Sequence, residues 1–182
     1  MYAPRPGTAR ERLLAAALDL FAEHGVTGTS LQMIADRLGV TKAAVYHQFQ
    51  SKDDIVVAVI DPAMDRLGEI AAHAEAQRGP AARREAVLAG VVQLVVDFRK
   101  VATTLSFDPV VMRLVRAHPG LRSLQRVRRL LGGTAPDPGS RVRMAVLSGG
   151  LIMAGADPAV AGLDDEDFRD HLLAAGRRIL KG

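Results

Sequence analysis

Thr29 to Lys52, TSLQMIADRLGVTKAAVYHQFQSK, carries its own caps, a turn glycine and two short helical periods. Thr29 has an N-cap side chain, and Gln32 three residues on can reach back to the cap N–H, so a capping box is predicted there. Leu31, Ile34, Ala35 and Leu38 recur at helical spacing on one face. Gly39 follows the last of them, where a positive φ is usually needed, and Thr41 supplies the next N-cap. Helices joined by so short a turn cross at roughly 90 to 120°, the helix-turn-helix arrangement whose second helix enters a major groove. That helix is predicted over 42–49, with Val45 and Phe49 inward and Thr41, Lys42, Ala43, Tyr46 and His47 left to face a duplex. Ala43 can touch a thymine methyl. The exposed part of the helix has no Arg or Asn, so the commonest bidentate base readers are absent and Gln32 and Gln48 are the remaining amides.

Toward the N-terminus, a helix over about 8–24 is predicted to bury Leu13, Leu14, Ala17, Leu18 and Phe21 behind the motif, with Gly25 as its stop. Beyond the motif, Ser51 and Asp54 form a second capping box, and Ile55, Val56 and Val59 continue an apolar stripe. Pro62 then removes a hydrogen bond and crowds the carbonyl of Ala58. A kink or a restart is expected, with Asp61 and Pro62 as N-cap and N1 of a segment carrying Met64, Leu67 and Ile70 to about Gln77. Pro62 is either a bend fitted to the core or a hinge. Residues 1 to 60 hold six Lys/Arg and six acids, so placement of the cations, not bulk basicity, points to nucleic acid. Arg5, Arg10 and Arg12 lie in the arm and first turn, and Lys42 and Lys52 begin two helices, where phosphate contacts would fix register.

The stretch TSLQMIADRLGVTKAAVYHQFQSKDDI, preceded by RERLLAAALDLFAEHGVTG, resembles the tetracycline-repressor (TetR) family of bacterial transcription regulators over about the first 55 residues. The EHGVTGTS glycine, the IA pair, the LGV turn, the VYHQF segment and the SKDD helix start all sit at the family's spacing. The resemblance implies an all-α fold of about nine helices. Residues 1–52 would form a three-helix helix-turn-helix DNA-binding domain and residues 53–182 a helical ligand-binding and dimerisation domain. It implies Thr41, Lys42, Tyr46, His47 and Lys52 as DNA contacts, a homodimer, and double-stranded DNA with a palindromic operator as partner.

After Gly79 and Pro80, residues 84–100 carry Val87, Leu88, Val91, Leu94, Val95 and Phe98 on a broad apolar face. Shorter helices are predicted over 109–117 and 119–131, then a Gly/Pro-rich loop over 132–140, then helices over 141–155 and 164–180. Leu67, Ile70, Val91, Leu94, Val95, Phe98, Met112, Leu147 and Leu151 are directed to one interior, which either holds a small apolar or acyl-type ligand or packs as a filled core. Arg99, Arg113 or Arg116 could pair with an acidic group at its mouth. Val142, Ala145, Val146, Gly149, Gly150 and Met153 form one stripe, and Phe168, Leu172, Ala175, Gly176 and Ile179 another. Two glycines inside a helix cost about 1 kcal/mol each, so close approach of another helix is their natural reason. By the resemblance these two stripes pair with a second copy. Arg113 to Arg143 holds eight arginines and one acid, Asp137, either a solvated face or a seat for an anionic partner.

The chain has 182 residues, 48% hydrophobic content and no cysteine, enough for a core and incompatible with disulfides or thiolate metal sites. The acids Asp164 to Asp167 suit a helix start, so neither a metal nor a cofactor is expected. No Ser/His/acid spacing or phosphate loop stands out, which argues against an enzyme. No apolar run approaches 18 residues and MYAPRPGTARERLL is too polar for a signal peptide, so a cytoplasmic protein without membrane contact is expected. A helix-turn-helix regulator governed by a protein partner, with no small-molecule pocket, is the rival reading.

Overall fold

A computed structural model of the chain describes residues 7–105, 108–133 and 137–181. Arg5 and part of the predicted 132–140 loop lie outside the described residues. Every regular element among the described residues is helical. The chain divides into two compact units, Met1–Pro62 with Thr104–His118, and Ala63–Thr103 with Pro119–Gly182.

The first unit begins with α1 (Ala9–Gly28), opened by a reciprocal capping box between Thr8 and Glu11. Leu13, Leu14, Ala16, Ala17, Leu20 and Phe21 are buried along it, with Leu18 only half-buried. Gly25 interrupts α1 at φ 72°, where the stop was predicted, and one further turn follows it. That extra turn moves the next cap. Thr29 is not an N-cap: it is buried, and its hydroxyl donates to the carbonyls of Leu20 and Gly25 at 3.1 and 2.8 Å. Ser30 caps α2 (Leu31–Leu38) instead, accepting from the Met33 N–H at 3.2 Å, and Gln32 donates to Asp36 rather than to a cap. Gly39 takes the left-handed conformation at φ 66°, and the Gly39 and Val40 N–H groups return to the carbonyls of Asp36 and Ala35. Thr41 then caps α3 (Lys42–Gln48) through the Ala44 N–H. Val45 and Phe49 are buried as predicted.

The capping box of Ser51 and Asp54 opens α4 (Lys52–Glu75), with both bonds present at 2.9 and 3.1 Å. The helix runs through Pro62 without the predicted restart, so Asp61 is not an N-cap. Its carboxylate lies 2.8 Å from His118 Nε2. Ile55, Val56, Val59 and Ile60 are fully buried, so the first half of α4 belongs to this unit rather than beginning a second domain at residue 53. A distant segment joins them. Asp108 accepts the Val26 N–H at 3.3 Å and caps α7 (Pro109–Ala117), which packs on α1, and Arg113 pairs with Asp53 at 2.8 Å.

The second unit is organised around α5 (Pro80–Asp97), which starts four residues earlier than predicted because Pro80 fits the first helical position. Its Val87, Leu88, Val92, Val95 and Val96 are buried. A break at Phe98 separates it from α6 (Arg99–Leu105), of which the expected helix over 84–100 included only the first two residues. Around α5 pack α8 (Leu121–Gly132), α9 (Pro138–Ala156) and α10 (Asp165–Lys181), while Leu67, Ile70, Ala71 and Ala74 of α4 join the same apolar cluster. Burying such aliphatic side chains contributes about 1.5 to 3 kcal/mol each. A Cβ on Gly176 would lie 2.7 Å from Leu88 Cδ1, so this glycine exists for the approach of α10 to α5. Asp164 accepts from the N–H groups of Glu166 and Asp167, which accounts for the acidic start of α10.

Candidate nucleic-acid interface

The helix-turn-helix exposes a continuous polar surface because its apolar residues are used underneath. Thr41, Lys42, Ala43, Tyr46 and His47 are all exposed over the buried pair Val45 and Phe49. Thr41 performs two roles, since its oxygen already accepts the Ala44 N–H at 3.2 Å. The Lys42 ammonium lies 5.7 Å from the Tyr46 ring centroid, which steadies both side chains on one face of α3. Gln32 is exposed at the start of α2, but its amide donates to Asp36 at 2.7 Å, so it must leave that partner to read a base.

Lys52 departs from its forecast. Its ammonium donates to the carbonyls of Val26, Thr27 and Thr29 at 2.6, 3.2 and 2.8 Å. An ammonium has three hydrogens, so all are engaged on the chain between α1 and α2, at the negative end of the α1 dipole. No linear spacing could have announced this, since the contacts span more than twenty residues. Other cations of the unit are also engaged: Arg10 stacks 4.9 Å from the Phe49 ring centroid, and Arg37 pairs with Glu23 at 2.7 Å. That hydrogen bond holds the Glu23 carboxyl below its ordinary range and raises the Arg37 guanidinium. Between α1, the end of α2 and α3 lies an open cleft of about 290 Å³, lined by Ala9, Arg12, Leu13, Leu38, Val40, Ala44, Val45, His47 and Gln48.

The residues assigned to a ligand site divide. Leu67, Ile70, Val95, Leu147 and Leu151 sit in one buried cluster of the second unit, with Val91 and Leu94 packed against it. Phe98 is buried as well. Met112 does not join them: it belongs to α7 in the first unit and is 41% exposed, because α7 turns Val111 inward instead. Arg99 is also internal, donating to the carbonyls of Gly155 and Val160 at 3.2 and 2.7 Å and stacking 4.1 Å from the Phe168 ring centroid. Arg113 and Arg116 are both exposed, and Arg113 pairs with Asp53.

The two dimerisation stripes divide in the same way. On α9, Val142, Val146 and Met153 are 63%, 57% and 48% exposed, Ala145 and Gly150 lie beside them, and Gly149 is half-buried. A Cβ at Gly149 or Gly150 would meet nothing within 4 Å. On α10, Phe168, Leu172 and Gly176 are buried inside the unit against α5 and α9, leaving Ala175 exposed and Ile179 half-buried. The helical period is as expected, and Phe168, Leu172 and Gly176 of the α10 stripe face their own chain.

Comparison with known proteins bears on the same residues. The family described as bacterial regulatory proteins, tetR family, matches residues 13–59. The HTH-type transcriptional repressor KstR2 of Mycolicibacterium smegmatis is 35% identical over 63 residues, covering 35% of this chain and only 31% of that protein's length. Among solved structures, a member of the TetR transcriptional regulator family from Streptomyces coelicolor superposes with a TM-score of 0.72 at 23% identity, covering 97% of this chain and 91% of the other. The transcriptional regulator FadR from Bacillus subtilis, in complex with stearoyl-CoA, gives 0.63 at 15% identity over 93% and 95% of the two chains. At such identities the two structures speak for the fold alone. Among the described residues no helix is long and apolar enough to cross a membrane.

Proposed function

We propose that the chain, whose residues 13–59 match the tetR family of bacterial regulatory proteins, is a sequence-specific DNA-binding transcriptional regulator acting as a homodimeric repressor. The observation that carries this reading is the arrangement of α3: a buried pair, Val45 and Phe49, under an exposed set of Thr41, Lys42, Ala43, Tyr46 and His47. Gln32 adds an amide from α2. Lys52 contributes at one remove, by fixing the α1–α2 turn from which α2 and α3 project. Genomic-fragment selection of bound DNA tests the reading, and the enriched fragments would also identify the regulated genes.

The second copy is seated on α9. Val142, Ala145, Val146, Gly150 and Met153 present an apolar, small-residue face, which a two-fold contact requires to be self-complementary. Val146→Arg should yield monomers in sedimentation and lose palindromic binding. A dimer undisturbed by Val146→Arg and by Gly150→Leu would remove α9 from the interface.

Release is assigned to a small apolar or acyl-type molecule entering the aliphatic cluster around Val95, Leu147 and Leu151. The Bacillus subtilis neighbour, which shares the fold, was solved with stearoyl-CoA, a molecule of this acyl type. A ligand shifts the equilibrium only by its preference for the non-binding conformation. Val95→Phe should then abolish release and leave DNA affinity intact. The internal engagement of Arg99 favours the rival reading, control by a protein partner, and a long-chain acyl thioester that fails to release wild-type protein from DNA would select it.

A further inference from the structure

Among the described residues, the cleft between α1 and α3 is lined by two groups that can carry positive charge, Arg12 and His47, and by no carboxylate, the two being set around Leu38, Val40 and Ala44. Among the described residues neither makes an ion pair or a side-chain hydrogen bond, whereas Arg10 is held over Phe49 and Arg37 by Glu23. The elements around the imidazole add no counter-charge. From α1 comes Arg12, while α2 and its turn give Leu38 and Val40. On α3 itself Lys42 lies over Tyr46, and the Glu11 carboxylate is turned to the start of α1, accepting the Thr8 N–H at 3.0 Å.

We propose that this cleft seats one phosphate of the DNA backbone beside α3, between Arg12 and a protonated His47, so that binding DNA takes up a proton. A cleft of about 290 Å³ has room for a phosphate group and its residual water. A guanidinium and an imidazolium supply charge-assisted donors, the chemistry that phosphate oxygens accept. An anion beside an imidazole favours its charged form. The DNA-bound state therefore holds the proton more tightly than the free state. Affinity is greatest at low pH and is lost as pH rises through the range, about 5 to 8, in which histidine titrates.

This inference rests on the DNA-reading function proposed above, and the experiment separates the two. The probe is the duplex that wild-type protein selects from a random-sequence pool, titrated at pH 6 and pH 8 at constant salt. Wild-type affinity should be about 25- to 100-fold higher at pH 6, five- to tenfold for each of the two protomers on the duplex, the factor expected when binding favours the protonated form by about one pH unit per seat. His47→Gln should flatten this dependence while sequence selection persists. Arg12→Gln should weaken binding at both pH values and reduce the salt slope by about 2, the loss of one neutralised phosphate from each protomer. Replacing the neighbouring phosphate by a neutral methylphosphonate should reproduce the His47→Gln profile in wild-type protein. A wild-type chain that selects no duplex would overturn the DNA-reading function itself. Selection with equal affinity at both pH values, or a pH dependence that survives His47→Gln, would overturn the proton-linked seat alone.

Discussion

The starts of α3 and α4 each present a lysine at a helix N-terminus in the first unit, and the two lysines do different things. Lys42 is exposed, with only the Tyr46 ring beneath its ammonium, and is available to a polyanion. Lys52 is drawn back onto three carbonyls of the α1–α2 connection. In sequence the two looked equivalent: both follow a Thr or Ser cap, and both would lean on a groove. What separates them is the extra turn of α1 past Gly25, which leaves carbonyls pointing at the start of α4. A cation near DNA is thus a reader or a brace according to what the fold leaves unsatisfied beside it.

The sharpest way to break this contrast is stability. Lys52→Ala should lower the unfolding free energy by about 1 to 3 kcal/mol, because it leaves carbonyls without a donor, and urea denaturation measures the loss. Lys42→Ala should stay within about 0.5 kcal/mol of wild type. Equal losses from both would erase the distinction.

Next in size is the cap between them. Thr41→Ala should cost about 1 kcal/mol, since the Ala44 N–H loses its acceptor in a helix of two turns, while Thr41→Ser should retain most of the stability. DNA binding sharpens the comparison further. Lys42→Ala should reduce the salt slope by about 2, one phosphate from each protomer, with stability unchanged, whereas any weakening by Lys52→Ala should follow the population of folded protein. The smallest effect concerns acid. Arg37 holds the Glu23 carboxyl below its ordinary range, so the pair stabilises the unit above the normal carboxylate pKa and is lost as pH falls through the lowered one. Arg37→Gln should slightly flatten acid unfolding, and exposure of both groups keeps the change small.

The turn was legible because its determinants are local. Gly39 after the last apolar position, Thr41 as a cap and the Ser51–Asp54 box each depend on residues within three or four of one another. Errors arose where a local rule met a distant partner. Thr29 satisfies every sequence criterion for an N-cap, yet its hydroxyl is used by Leu20 and Gly25 and the cap passes to Ser30. Asp61 before Pro62 has the composition of a helix start, but α4 continues and the carboxylate meets His118. Periodicity found both stripes of α9 and α10 and could not say which one its own chain would cover. It carried the helix of α5 on to residue 100, past the break at Phe98, and did not find α6. It also sent Met112 inward with residues of another unit, since α7 is apolar on a face whose neighbour, α1, lies some eighty residues earlier.

The central claim is that the exposed face of α3 reads DNA, and in-vitro selection from a random duplex pool tests it most directly. At moderate salt, wild-type protein should enrich a palindrome whose half-sites lie about one helical turn apart, roughly 34 to 36 Å, or somewhat wider. Tyr46→Phe should alter the preference within each half-site and leave the spacing alone. A pool no more enriched than one passed over protein lacking α3's exposed side chains would contradict the account.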